Sequence, residues 1–394
     1  MPATDPADPA DPAPVPSGRR RPGRLAPVVG TARKMVQDAL AGAGYPQHVL
    51  VACSGGPDSL ALAAVAAYFA RRGHVDGRPV TVGAVIVDHQ LQPGSAAVAA
   101  ATARTLKDLG LAPVQVRTVE VAAAGMGPEA AAREARHTAL EAAADEAGAA
   151  VILLGHTLDD QAEQVLLGLA RGSGTRSLAG MRPSRGRLLR PFLGLRREDT
   201  LEICRVEGLD PWHDPSNTDP AYARSRTRVE VLPLLEEKLG PGVAESLART
   251  AAILQLDADY LEEVANATFE RLREPAGGGH ARNDRTGIEQ AGKGISLPEA
   301  ALRDLAPAVR FRVIAKAAAA VGGQQPSYQR LLAAEALLRR HGSAGPVELP
   351  GSVSVYRLSL AQLEAEGQSA AAGVPREGAR CGKLVFRPQR PSRK

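Results

Sequence analysis

Six consecutive residues, Ser54, Gly55, Gly56, Pro57, Asp58 and Ser59, carry the clearest chemistry in this chain of 394 residues. They follow a short apolar run, Val-Leu-Val-Ala at 49–52, and precede a strong helix former at 60–69 rich in Ala and Leu. Two glycines allow positive φ and a close backbone approach to a ligand. Proline suits the first helical turn, where its missing N–H costs nothing. The free N–H groups of that turn, with the helix dipole, favour an anion and above all a phosphate. Asp58 and Ser59 end the turn without the lysine that a Walker A loop requires. An acid inside a phosphate-binding turn makes chemical sense when a Mg²⁺ ion stands between the two, which makes Asp58 a candidate metal ligand.

A second concentration of chemistry lies at 155–163, Gly-His-Thr-Leu-Asp-Asp-Gln-Ala-Glu, after the apolar run 150–154. Asp160 and Glu163 are three apart and Asp159 and Glu163 four apart, so at helical spacing they share a face. Thr157 with Asp160 also fits a capping pattern, and acids suit a helix start in any protein. Beside a phosphate turn, the same acids suit a cation, either Mg²⁺ or a substrate ammonium. His156 joins Asp159, Asp160 and Glu163 as a candidate for taking a proton, and the residues alone do not divide those roles. Asp88 and His89 close a further apolar run at 80–87. Arg224, Arg226 and Arg228 follow the turn-rich 212–220 loop that contains Asn217, and suit phosphates of RNA or ATP.

These groups must be brought together by the elements between them. Apolar runs at 49–52, 80–87, 114–119 and 150–154 alternate with helical patterns at 25–43, 60–69, 96–109 and 128–147, and further helices start near 159 and 196. Such alternation predicts a doubly wound parallel sheet, with the site beyond the carboxyl ends of its strands. Ser54, Asp88 and His156 all stand at those ends. Beyond 233 the pattern becomes helical, at 243–273, 306–321 and 326–341, with a β-hairpin at 347–356 turning on Pro350-Gly351. The domains expected are a disordered Pro/Ala/Asp tail at 1–24, an α/β nucleotide domain at 25–235, a helical domain at 236–345, and a hairpin with a basic flexible tail at 346–394. A glycine-rich mobile link is expected at 274–294. The formal net charge is +5, which permits a nucleic-acid partner. Three scattered cysteines without a CxxC pair argue against disulfides and structural zinc and fit a reducing cytoplasm. No run approaches a membrane span and no signal peptide is expected.

The hexapeptide resembles the PP-loop of the ATP pyrophosphatases, which cleave ATP between the α- and β-phosphates and activate a substrate oxygen as an adenylate. Residues 54–59, Val-Asp-His-Gln-Leu at 87–91, Arg-Glu-Ala-Arg at 133–136, 156–163, 171–174 and 214–228 are together similar, in order, to the motifs of the tRNA(Ile)-lysidine synthases. The resemblance covers about 49–235. It implies ATP and Mg²⁺, L-lysine, and the CAU-anticodon isoleucine tRNA as cofactors and partners. The reaction implied joins lysine to C2 of the wobble cytidine through an adenylated base. Residues 54–59 with Asp88 and His89 would hold ATP. Asp58, His156, Asp159, Asp160 and Glu163 would be catalytic. Arg133, Arg136, Arg171, Asn217, Arg224, Arg226 and Arg228 would face the tRNA and its substrates, and the helical domain would grip the tRNA. A homodimer is compatible with it. Gln92, His137 and Ser225 stand where the family more often has arginine, tyrosine and asparagine, so no contact is assigned to them. Other PP-loop enzymes fit less well: a tRNA thiolase would often carry paired cysteines, and an amidotransferase-type synthetase would carry a nucleophilic cysteine, often N-terminal. A non-catalytic RNA-binding protein on the same fold is separated from these by pyrophosphate release that requires both tRNA and lysine.

Overall fold

The computed structural model describes residues 25–90, 92, 94–119, 128–172, 174–276, 294–339, 345–365 and 381–389. The expected tail at 1–24 lies outside the described residues, as do 277–293 of the glycine-rich stretch. In chain order the first elements are α1 (Pro27–Gly42), β1 (His48–Ala52), α2 (Pro57–Arg72), the small hairpin β2 (His74–Val75) and β3 (Arg78–Pro79), β4 (Thr81–Asp88), α3 (Ser95–Asp108), β5 (Val114–Thr118), α4 (Pro128–Glu146), β6 (Val151–Leu154) and α5 (Leu158–Ala170). There follow α6 (Thr175–Leu178), β7 (Ser184–Arg185), β8 (Leu188–Leu189), α7 (Arg197–Glu207), a 3₁₀ turn at Pro215–Thr218, α8 (Ala223–Arg226), a π turn at Thr227–Val231, and α9 (Leu232–Leu239). The chain ends with α10 (Val243–Leu272), β9 (Glu274–Ala276), β10 (Gly294–Pro298), α11 (Glu299–Asp304), α12 (Pro307–Ala320), α13 (Tyr328–Ala336), β11 (Val347–Leu349), β12 (Val353–Leu358), α14 (Leu360–Ala365) and β13 (Lys383–Pro388).

These elements form two compact units, one made of the described residues up to Gly172 with Gly180–Arg249, the other of the described residues in 173–179 and 250–394. In the first unit the sheet order is β5-β4-β1-β6-β8-β7, parallel except for the edge strand β7. The predicted doubly wound architecture is therefore present. β1 is buried on both faces, as a central parallel strand must be. Val49, Val51 and Cys53 join the core built with α1, α2 and Ile203 of α7. Leu50 and Ala52 join Leu140, Ala143 and Ala144 of α4 on the other face. β1 pairs with β4 on one side and β6 on the other, so the order reverses between β1 and β6. The crevice of such a sheet opens at that reversal, where the turn after β1 meets the turn after β6.

The second unit departs from the expected pattern. Its sheet has five strands in the order β11-β12-β13-β10-β9, and every described pairing is antiparallel. The predicted hairpin is there, as β11 and β12 paired Leu349 to Val353. The ends of the link expected to be mobile are instead strands, with Gly294 opposite Ala276 and Ser296 opposite Glu274. Residues 383–388, expected in the flexible tail, form the middle strand of the sheet. The physical reason is Leu384 and Phe386, which are fully buried with Leu297, Val313 and Ile314. Flanking basic residues hide that short apolar run from a compositional reading. In the helical part expected to grip the tRNA, several cations are engaged within this unit. Arg310 pairs with Glu335 at 2.6 Å, Arg339 with the same carboxylate at 3.1 Å, and Lys316 with Glu262.

Candidate active site

The turn from β1 into α2 sits at the reversal. Ser54 donates its backbone N–H to Ser59 Oγ at 3.1 Å, and that hydroxyl donates to the Gly56 carbonyl at 3.0 Å. Pro57 occupies the first turn of α2 and Asp58 follows it. Of the two glycines, only Gly55 uses the left-handed region, at φ +86°, whereas Gly56 is extended at φ −70° and ψ 162°. Gly55 is also crowded, because a Cβ there would lie 2.6 Å from Thr102 Oγ1 of α3. The loop beyond α7 fixes the turn from outside, as Trp212 donates its backbone N–H to the Gly55 carbonyl at 3.0 Å. Gly155, at the end of β6, explains how the second motif comes close. A Cβ at that position would lie 2.7 Å from the Asp58 carbonyl oxygen and 2.9 Å from Ser59 Cα.

α5 begins with the predicted capping box: Asp160 Oδ2 accepts from the Thr157 backbone at 2.9 Å and from its hydroxyl at 3.1 Å. The cap does not exhaust that carboxylate. Its Oδ1 faces Arg228 Nη2 at 3.2 Å and Arg197 Nη2 at 3.3 Å. Glu163, one turn along, is 0% exposed. It accepts two hydrogen bonds from Arg228, at 2.7 Å from Nε and 3.1 Å from Nη2, the forked geometry that makes such pairs strong. Arg224 and Arg197 approach it at 3.7 and 3.6 Å. Asp58 completes the group: its carboxylate accepts from the Thr200 hydroxyl and lies 3.6 Å from Arg197 Nε. Burial pushes the Asp58 carboxyl above its ordinary value, against the pull of Thr200 and Arg197. Burial acts on Asp160 the same way, but Arg197, the Thr157 backbone and His156 outweigh it and hold Asp160 below the usual range. Asp159 does other work. It accepts from the Arg197 backbone N–H at 2.7 Å and pairs with Arg196 at 3.2 Å, so it ties the start of α7 to α5.

Beside these acids lies a cluster of opposite sign. His156 follows β6, and burial, with Arg136, Arg190 and Arg224, lowers its pKa to about 4 despite Asp160. Its Nδ1 is buried without a hydrogen-bond partner, as is Nδ1 of His89 after β4. Burial lowers His89 as well, and Arg136 adds to it. Arg190 is 7% exposed; burial and the nearby Arg133, Arg185 and Arg136 bring it down to about 10. Cationic groups that depress one another in this way form a region suited to an anion. Asp88 is buried at the end of β4 and accepts from the Gln90 N–H at 3.0 Å.

The sequence-predicted residues thus divide. Ser54 to Ser59, His156, Asp160, Glu163, Arg224 and Arg228 gather around the reversal, and Asn217 borders them through a 3.3 Å contact from Arg228 Nη1. Arg224 and Arg228 are on one side of a helical turn, whereas Arg226 is exposed and donates to the Pro220 and Ala221 carbonyls. Arg171 is exposed at the far end of α5 from Asp160. Gln92, given no contact from sequence, donates to Asp214 at 2.7 Å, and Ser225 is buried with its hydroxyl on the Ser216 carbonyl at 3.0 Å. His137 is exposed and lies 4.0 Å from Glu141. Arg197, Thr200 and Arg190 were missed. One signal for Arg197 was readable, since arginine in the first turn of a helix opposes the helix dipole and needs a local reason.

Among the described residues, no three His, Cys, Asp or Glu side chains converge as a ready metal site. Asp58, in the first turn of α2, is the carboxylate placed to fit a Mg²⁺ ion that takes most of its other oxygens from phosphates, although its Oδ1 accepts from Thr200 and its Oδ2 lies 3.6 Å from Arg197. The PP-loop domain family model matches residues 31–235, which covers most of the first unit. A U34-tRNA thiolase from Methanococcus maripaludis aligns with a TM-score of 0.47 at 18% identity, over 58% of this chain and 80% of that one. The tRNA(Ile)-lysidine synthase of Leifsonia xyli subsp. xyli is 51% identical over 77% of this chain and 85% of its own length. The protein of the same name from Salinispora tropica is 46% identical over 84% of this chain and 95% of its own. A turn built for phosphate, an acid–guanidinium cluster beside it and identity of this extent agree: the chain belongs to the tRNA(Ile)-lysidine synthase family of PP-loop proteins.

Proposed function

We propose that this chain ligates L-lysine to C2 of the wobble cytidine in the CAU-anticodon tRNA(Ile), at the expense of ATP. The product is lysidine, with AMP and pyrophosphate released, and the tRNA changes from methionine to isoleucine identity. The observation that carries this reading is the cluster of Asp58, Asp160 and Glu163 with Arg197, Arg224 and Arg228 at the sheet reversal, directly beside the phosphate-binding turn.

In the first step O2 of cytidine forms a bond to the α-phosphorus of ATP and pyrophosphate leaves. The turn at Ser54 to Ser59 receives the departing phosphates on the N-terminal N–H groups of α2. Asp58 is the residue that would hold Mg²⁺, which supplies charge neutralisation on the leaving pyrophosphate. The guanidiniums of Arg136 and Arg190 give the negative charge of the adenylate a counterpart. In the second step the side-chain amine of lysine forms a bond to C2 and AMP leaves. A free lysine amine is protonated near neutrality, at about 10.4, so the site must bind an ammonium and then release its proton. Asp160, held below the usual carboxylate range by its arginine neighbours, and the buried Glu163 are the groups placed to bind the cation, and neutral His156, with an unpartnered Nδ1, can take part in a hydrogen bond beside them. Asp159 is assigned to holding α7, which is a supporting rather than a chemical role. The base must leave its stack to reach the crevice.

Residues 25–235 carry the chemistry in this reading. Residues 236–345 and the segment from 346 onward supply tRNA selection, in the cytoplasm, and a homodimer is compatible with it. No described helix is long and apolar enough to cross a membrane. The test is mass spectrometry of nucleosides from CAU-anticodon tRNA(Ile) after incubation with protein, ATP and lysine. Lysidine should appear only when all three are present, and its absence with active protein would sink the reading.

A further inference from the structure

Three carboxylates and three guanidiniums already balance in the acid cluster: Asp58, Asp160 and Glu163 are faced, among the described residues, by Arg197, Arg224 and Arg228. An ammonium brought to a balanced cluster gains little unless one guanidinium gives way. The three arginines are held very differently. Arg228 grips Glu163 with two hydrogen bonds, at 2.7 and 3.1 Å. Arg224 is anchored elsewhere, donating to Gln164 at 2.9 Å, and only approaches Glu163 at 3.7 Å. Arg197 is spread over three acids, at 3.3 Å from Asp160 and 3.6 Å from both Asp58 and Glu163. Each of those contacts is long for a charge-assisted hydrogen bond. The Arg197 backbone is fixed all the same, by its 2.7 Å hydrogen bond to Asp159. A long side chain on a fixed backbone, with three loose contacts and a helix dipole against it, is the cation that a competitor displaces most readily.

We propose that Arg197 is the resident counter-ion of this cluster, and that the primary ammonium of the amine substrate displaces it from Asp160 and Glu163. The identity of that amine rests on the proposed function; the exchange itself rests on the geometry. The displaced guanidinium stays beside Asp58 and the phosphate-binding turn, since its backbone does not move. Filling the amine site therefore adds positive charge next to ATP, and bound ATP in turn favours the amine, a coupling that acts equally in both directions. Arg197 is a positioning residue, because it sets the charge that the substrates meet without touching a reacting atom.

The experiment is calorimetric titration of L-lysine, and separately of Mg²⁺, into the full-length protein and into Arg197→Gln and Arg197→Lys. Removing a competitor that holds the site about nine-tenths of the time should tighten lysine binding about tenfold in Arg197→Gln. Arg197→Lys keeps a cation and should bind lysine as the unaltered protein does. A purely structural role moves affinity the other way, because a loosened cluster binds lysine more weakly. Unchanged or weaker lysine binding in Arg197→Gln overturns the proposal, and so does tightening towards Mg²⁺ alone. Arg197→Met, which keeps the aliphatic stem, serves the same comparison if the glutamine variant does not fold. The ligase reading fails separately: if no lysidine forms while Arg197→Gln still binds the amine more tightly, the exchange stands and the ligation falls.

Discussion

Glu163 is a fully buried carboxylate whose forked partner, Arg228, is itself half-buried. Replacing it by glutamine preserves shape but leaves that guanidinium without its nearest counter-charge. Breaking such a pair costs about 3–5 kcal/mol, well above the ~1 kcal/mol of a lost helix cap. Glu163→Gln is therefore expected to lose both lysine transfer and stability, and urea unfolding at neutral pH measures the second. A loss under about 1 kcal/mol would show that the pair is not desolvated as the burial implies. His156 makes a prediction about pH. Its folded pKa of about 4 lies below the ordinary 6.5. Between those values the unfolded chain takes up a proton that the folded chain refuses. The stabilisation is thus complete above about 6.5 and is lost as pH falls towards 4. His156→Gln should flatten this fall only in part, because the His89 shift has the same sign. Equal pH dependence of the urea midpoint in both proteins would remove His156 from the account. At this scale the residues on motifs were legible, and the pairing among them was not. Asp159 and Asp160 are neighbours of one type in sequence, yet one ties down α7 and the other faces two arginines from distant elements.

The elements that meet at the site were readable from their periods, since apolar runs separated by helix formers leave few topologies open. What was not readable is how closely they pack. β6 approaches the first turn of α2 so tightly that the space for a Cβ at Gly155 is already taken by backbone atoms of Asp58 and Ser59. Backbone does not swing aside as a flexible side chain does. Gly155→Ala should therefore cost about 1–3 kcal/mol, and it should displace the turn that carries Asp58. The expected signature is weakened ATP binding by calorimetry in a protein that still folds, with a lowered thermal midpoint. Wild-type ATP affinity in that variant would mean that β6 and the phosphate turn move independently. α7 was expected only as a helix starting near 196, with no role at the site. Of its two polar contacts to Asp58, the one from Arg197 had a sequence signal in an arginine set against the helix dipole, and the one from the buried Thr200 had none. They are placed by the long connection from β6 through α5 and the β7–β8 hairpin, which no local pattern encodes. β13 was missed for another reason. Its three consecutive apolar residues sit among cations, and only pairing with β12 and β10 reveals what they bury.

For the whole molecule, the two units place a limit on where function can be cut. The first unit needs the beginning of α10: Ala244 and Leu247 pack with Ala162 and Leu232, and Glu245 pairs with Arg196 at 2.7 Å. Glu236 also accepts from the N–H groups of Gly242, Val243 and Ala244, at 2.7, 3.2 and 3.0 Å. A chain ending near Pro241 would lack all of these, whereas one ending at Arg249 keeps them. The chain ending at Arg249 retains every residue of the acid cluster and the phosphate turn, so it is expected to bind ATP within about threefold of the full protein, a difference of under 1 kcal/mol. Its behaviour towards tRNA should differ. The second unit engages Arg310, Lys316 and Arg339 in internal ion pairs, whereas Arg330 is exposed and, under the proposed function, is a cation that would meet phosphates. Every phosphate that the truncated chain no longer neutralises should reduce the steepness with which binding falls as salt rises. Filter binding across a salt series, with the cognate tRNA and a non-cognate tRNA side by side, measures both the slope and the selectivity. The truncated chain should show a shallower slope and little preference. A truncated chain that binds ATP and still selects the cognate tRNA as the full protein does would place recognition in the α/β unit, with Arg133, Arg136 and Asn217 the residues to test next.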